Sequence, residues 1–215
     1  MRLQLNINRI IRYLIWSDVV FYAGWGLITP IFAIFIIEKI HGGDFIVVGI
    51  ATSIYWILMS ILRVPFGLFL DTKKGERDDY AFMVTGLLIA STVPFGYIYA
   101  TAPWHLYVLQ AIYALGMAMS LAGWSAIFTR NIDKGHESTE WGLSATGYSI
   151  GTGIAGVVGG YAVETFGFNP VFIGVGILGL LGTLLLLGIR QDVLKQPRTA
   201  VVRFHANPRD FFLNR

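Results

Sequence analysis

The 215-residue chain contains no cysteine. That excludes disulfides, thiol nucleophiles and cysteine-based metal sites. Its four histidines (His41, His105, His136 and His205) are scattered with no ligand spacing. No H-E-x-x-H, P-loop or dinucleotide-binding glycine unit is present. Charge is also scarce, at 13% of residues, where a soluble domain carries about a quarter. A soluble fold of this length has more polar surface to cover itself. With no nucleophile–base pair either, the expectation is a protein that is not an enzyme and uses no cofactor, catalytic residue or metal.

What the sequence does have is hydrophobic residue, 55% of the total, and a mean hydropathy of +0.63. It falls into six runs, roughly residues 13–37, 45–70, 81–102, 106–128, 142–166 and 171–189. Each is near or above the ~20 residues that a helix needs to cross a bilayer. Short polar breaks separate them, such as His41-Gly42-Gly43-Asp44 and Gly167-Phe168-Asn169-Pro170. The expected fold is an all-α membrane protein. Its six-helix transmembrane domain covers residues 1–189, and a basic tail covers 190–215. The first run is too long for a signal-peptide core and lacks an A-x-A-like site after it, so it reads as a retained helix.

The basic residues set the orientation. Fourteen of the sixteen Lys and Arg, all but Lys39 and Arg63, lie before the first run, in the loops after the second and fourth, or beyond the sixth. The positive-inside rule places that side, with both termini, in the cytoplasm of a multi-pass protein of the cell (inner or plasma) membrane. The net charge of +3 is then topology and not a nucleic-acid surface. So strong a bias excludes dual insertion, and any partner made of the same chain enters the membrane in parallel. Trp104, Tyr107 and Trp141 suit interfacial aromatic belts. The tail, with Phe204, Phe211 and Phe212, reads either as lying on anionic lipid or as solvated. Ser138 or Thr139 is placed to cap the fifth helix.

The second run ends Gly67-x-x-x-Asp71-Thr72 and the fifth ends Gly160-x-x-x-Glu164-Thr165, 93 residues apart, each with a glycine soon after. These ends face opposite sides of the membrane. The pattern is either a 3+3 inverted repeat, as in many secondary transporters, or a chance match of glycine-rich ends.

Charges inside the spans are costly. Asp18 lies ~9 Å above Arg12, and Arg63 lies ~12 Å above Asp71, at the helical rise per residue. The two are expected at similar depth on adjacent spans, as a gate or coupling pair or as a static ion pair. Asp18, Tyr22 and Trp25 share one helix face. Gln110, Tyr113, Met117 and Trp124 share another, Trp56, Ser60 and Arg63 a third, and Ser144 and Tyr148 a fourth. Aromatic and polar faces of this kind suit a small organic molecule, or else pack against lipid and helices.

The loop after the second span resembles the signature of the major facilitator superfamily, G-x-x-x-D-(R/K)-x-G-(R/K)-(R/K). Gly67, Asp71 and Gly75 match, with Lys73, Lys74 and Arg77 as the basic cluster. One extra residue separates Asp71 from Gly75, and Thr72 stands where a basic residue is usual. Gly142, Gly151, Gly156, Gly159 and Gly160 are similar to the family's antiporter glycine motif, with Ala155-Gly156 in place of Gly-Pro. Gln110 stands near the position of the family's span-four arginine. The resemblance implies one six-helix half of a twelve-helix fold, whose spans one and four line the substrate path. It also implies that the second helix of one half packs on the fifth of the other. On that reading Asp71 faces the start of the fifth helix in a second copy, and the stripe Gly151–Ala155–Gly159 lies between copies or within one.

The leading expectation is a secondary active transporter of a small organic solute, coupled to a proton or not. It works by alternating access as a parallel homodimer through spans two and five. The alternatives are a non-transporting membrane protein, such as a sensor or assembly factor, and one half of a heterodimeric transporter.

Overall fold

The computed structural model describes residues 7–72 and 76–195. Lys73, Lys74, Gly75 and the tail aromatics Phe204, Phe211 and Phe212 lie outside the described residues. Among the described residues eight helices follow in order: α1 (Arg9–Ile28), α2 (Phe32–Lys39), α3 (Phe45–Thr72), α4 (Arg77–Tyr97), α5 (Pro103–Asn131), α6 (Glu137–Phe166), α7 (Phe168–Leu187) and α8 (Arg190–Leu194). No strand occurs among the described residues.

Four helices, α3, α4, α5 and α7, are long and apolar enough to cross a membrane. The broken pair α1 and α2 makes a fifth if it is one span. The first run is therefore not the continuous helix that its composition suggests. It bends by 42° at Thr29-Pro30-Ile31. Pro30 brings no backbone donor and so removes a ladder hydrogen bond at the bend. The 30-residue α6 is long enough, but its glycines and hydroxyl residues keep it below the apolarity of the others.

Local chemistry sets the helix ends. The Asn8 carboxamide accepts from the Ile10 N–H at 3.0 Å and starts α1. Asp44 accepts from the Val47 N–H at 2.8 Å and starts α3. Asp78 and Asp79 in the first turn of α4 suit the positive end of its dipole. Neither Ser138 nor Thr139 caps α6, correcting the expectation. The helix begins earlier, at Glu137, whose carboxylate accepts from the Gly135 N–H at 3.0 Å.

The long helices alternate in direction. At one end, here the basic end, the Asn8 side chain donates to the Asn131 carbonyl, Arg9 pairs with Asp192, and the Tyr80 hydroxyl donates to the Leu186 carbonyl. At the opposite end Phe35 packs on Phe168, Phe172 and Tyr97. Side by side the helices run α3–α5–α4–α7–α1–α6, and the row curves so that α1 also touches α5. Small residues permit the closest approaches. A Cβ on Gly86 or Gly116 would strike the backbone of the other, and one on Gly123 would strike the Asp79 carbonyl.

The stripe on α6 is used in the same way, inside the chain. A Cβ on Gly159 would collide with the Leu27 carbonyl, Gly151 lies over Val19, and Ala155 is buried against Gly26. The stripe therefore packs on α1 of its own chain, which corrects its placement between copies. Gly156 also lies near α1, beside Gly26 and Pro30, whereas Gly142 and Gly160 meet nothing within 4 Å.

Candidate functional site

The curved row encloses a cavity of about 380 Å³ between α1, α3, α5 and α6, with Leu87 of α4 at its back. Asp18 and Tyr22 come from α1, and Tyr55, Trp56, Met59 and Arg63 from α3. Met117, Ser120, Leu121 and Trp124 come from α5, and Trp141, Ser144, Ala145 and Tyr148 from α6. Helical periodicity explains the selection, since the residues of each set are spaced about three, four or seven apart and so share a face.

The candidates thus divide. Asp18, Tyr22, Trp56, Arg63, Trp124 and Tyr148 meet in one wall. Trp25, Gln110 and Tyr113 stand outside it. Trp25 stacks on Tyr113 at 4.0 Å and Tyr113 on Tyr55 at 4.8 Å. That stack lies farther from the basic end than Asp18 and meets the cavity wall through Tyr55. Gln110 is buried one turn beyond Tyr113, at 6% exposure. Two aromatic wall residues, Tyr55 and Trp141, are not among the sequence candidates. Tyr55 sits eight residues before Arg63, on the same face of α3, and that spacing is a usable signal. Trp141, assigned to an interfacial belt, is 45% exposed and also packs on Phe128 at 4.6 Å and on Trp124 at 5.8 Å, at the cavity wall.

Tyr22 meets Tyr148 edge-on at 4.7 Å, bridging α1 and α6. The Trp124 indole N–H is turned toward Asp18 but closes no hydrogen bond of ordinary geometry. Asp18 and Arg63 share the cavity yet form no ion pair with each other. The expected pair is thus replaced by two separated charges. Depth along the helices brings them level, but they project from α1 and α3, which are not neighbours in the row.

A second cavity of about 410 Å³ lies between α3 and α5 nearer the basic end. Arg63, Gly67, Asp71, Thr129 and Arg130 line it, so the signature residues Gly67 and Asp71 open onto it. Arg130 binds the Glu76 carboxylate at 2.7 Å and also the Asp79 carboxylate. Both acids are almost fully buried, with side chains 3% and 1% exposed. This cluster ties the chain entering α4 to the end of α5. Counting Lys and Arg for topology passes over the acids beside them, and so misses it. Arg77 opens α4 on the exposed side of the same loop.

Among the described residues no cluster of His, Asp or Glu could hold a metal ion. No curated protein matches the chain. The family model of the Major Facilitator Superfamily does match, over residues 14–212. That match covers every helix except the first turns of α1 and includes both cavities, and the chain belongs to the major facilitator superfamily.

Proposed function

We propose that this chain is a six-span half of a secondary active transporter for a small organic solute, and that it works by alternating access when a second six-helix bundle closes its cavity. The observation that carries this reading is the unfinished wall. The cavity is bounded by α3 and α6 on its two flanks, and these helices end the packed row. Only 17% of the apolar core of α3 is buried, against 56% for α5. Phe45 and Val157 are 82% and 79% exposed, and Gly49, Gly67, Gly142, Gly153 and Gly160 have open space where a side chain would stand. Lipid alone can cover such faces. A site lined by Asp18, Arg63 and two serines needs a protein wall to exclude lipid from it.

The six spans are α1 with α2, then α3 to α7. α6 crosses despite its lower apolarity because Ser144 and Tyr148 face the cavity and Gly147, Gly151, Gly156 and Gly159 face α1. Packing also supports the 3+3 repeat. Exchanging the triplet α1–α3–α4 for α5–α6–α7 turns the pair α1/α6 into α5/α3 and the pair α1/α7 into α5/α4, and leaves α4/α7 and α1/α5 unchanged. Each of these pairs is a real contact, and the triplets run in opposite directions, as an inverted repeat requires.

The second bundle we propose is a parallel copy of this chain, placing α3 of one against α6 of the other around a two-fold axis. Asp71 then approaches the start of the partner's α6, where a helix N-terminus favours an anionic group. The basic end faces the cytoplasm on this reading. The absence of cysteine makes the test clean. Single cysteines placed along the exposed faces of α3 (Ile57, Ile61, Val64) and α6 (Ile150, Ile154, Val157) are expected to cross-link between copies in α3–α6 combinations. If no combination links and mild extracts contain only monomer, the homodimer is wrong. Transport itself is tested by flux into proteoliposomes, with and without a pH gradient. Flux that is indifferent to pH removes Asp18 from a coupling role.

A further inference from the structure

The chemistry of the cavity wall points to a class of solute. Its rings converge on one carboxylate. Tyr22 stands one turn from Asp18 on α1, Trp124 turns its indole toward Asp18, and Tyr148 stacks edge-on against Tyr22 from α6. Trp56 and Tyr55 line the facing wall. Apart from these the lining is Arg63, Trp141, Met, Leu and Ala, with Ser120 and Ser144 as the small hydroxyls. Such a pocket offers large apolar area, with its hydrogen bonding supplied by ring hydroxyls and indoles, the two serines and the two charges.

An uncompensated carboxylate in these surroundings attracts positive charge, and the negative faces of Trp and Tyr rings attract it too. Arg63, the other charge in the wall, does not neutralise Asp18. It makes no ion pair with it, and it is shared with the second cavity, where Asp71 stands. Both charges therefore act on the same cavity, Asp18 from the side of Tyr22 and Trp124 and Arg63 from α3.

We infer that the transported solute is an organic cation with an aromatic or apolar body, held by the Asp18 carboxylate and the ring faces of Tyr22, Trp124 and Tyr148. The inference rests on the transport reading above and names the solute class for the same cavity. Permanently charged quaternary ammonium and phosphonium ions fit it without needing a hydrogen-bond acceptor in the wall. A sulfonate or carboxylate with the same ring has only Arg63 to meet and faces the Asp18 charge.

The test is binding of radiolabelled tetraphenylphosphonium to the full chain in nanodiscs, with empty nanodiscs as background. Saturable binding is expected, displaced by phenethyltrimethylammonium and at least tenfold more weakly by 3-phenylpropanesulfonate. Asp18→Asn is expected to lower affinity tenfold or more. Asp18→Glu keeps the preference for cations, and Glu164→Gln, at the exposed far end of α6, leaves binding unchanged. Trp124→Leu weakens binding several-fold, whereas Trp124→Phe, which keeps a ring, retains most of it. Sulfonate displacing as well as the ammonium ion, or Asp18→Asn binding like the parent, overturns the inference. Should Asp18→Asn fail to fold, the Trp124 pair and the competitor pair still decide it. Binding of the cation without flux in proteoliposomes overturns transport and leaves the ligand class standing. Flux of another solute with no cation preference does the reverse.

Discussion

The seam between α4 and α5 and the outer faces of α3 and α6 use the same residue, glycine, for different ends. Gly86, Gly116 and Gly123 in the seam lie against backbone, so no side chain fits there. Gly49, Gly153 and Gly160 on the outer faces have nothing near them. In a bilayer the lipid tails are as apolar as leucine, so helices associate by close packing and not by escape from the solvent. Buried glycines therefore mark contacts already made within the chain, and open ones mark surface still available to a partner.

The sharpest way to break this contrast is to fill one glycine of each kind. Gly116→Leu is expected to force α4 from α5 and to cost about 3 kcal/mol or more, the upper range for overpacking. Loss of a monodisperse peak on size exclusion after extraction reads it. A stable Gly116→Leu protein would mean that the two helices can part without loss. Arg130→Ala comes next. It removes the guanidinium that binds the buried Glu76 and Asp79 carboxylates and is expected to cost about 2 kcal/mol, as for hydrogen bonds to charged groups. Unfolding by denaturing detergent measures this, with Arg130→Lys recovering part of the loss.

Smaller effects follow on the other side of the comparison. Ser17→Ala removes a hydroxyl that donates to the Gly182 carbonyl at 2.8 Å between α1 and α7. It is expected to cost about 0.6 kcal/mol, typical for a hydrogen bond between membrane helices. Gly153→Val or Gly160→Val is expected to leave the stability of one copy within about 0.5 kcal/mol, as for a surface substitution. Either should still weaken association between copies by native mass spectrometry. A Gly160→Val protein that unfolds as Gly116→Leu does would place that glycine in a contact within the chain.

Some of the site is legible in the amino-acid pattern. Asp18 and Tyr22 share a helix face by spacing alone, as do Tyr148 and Ser144, and all four reach the cavity. The position of Arg63 in an apolar helix marks it as functional or paired, and it lines both cavities. Trp25 and Tyr113 are equally plausible by spacing, but they stack on each other. Periodicity gives the face of a helix and not the depth at which two faces separate into a cavity. The Arg130–Glu76–Asp79 cluster is hidden for a related reason, because Arg130 lies 54 and 51 residues along the chain from its two partners.

The sequence by itself determined that this chain is built for a bilayer. It also determined where the apolar runs lie and which end of the helices carries the basic residues, because hydropathy and charge are local sums over neighbouring residues. It carried the family signature at Gly67 and Asp71 as well. Only the tertiary structure decided that Asp18 and Arg63 stand apart, that the glycine stripe of α6 closes on α1, and that α3 and α6 are left uncovered. Those outcomes depend on which helix lies beside which, and packing between distant segments settles that through backbone distances that no single helix encodes.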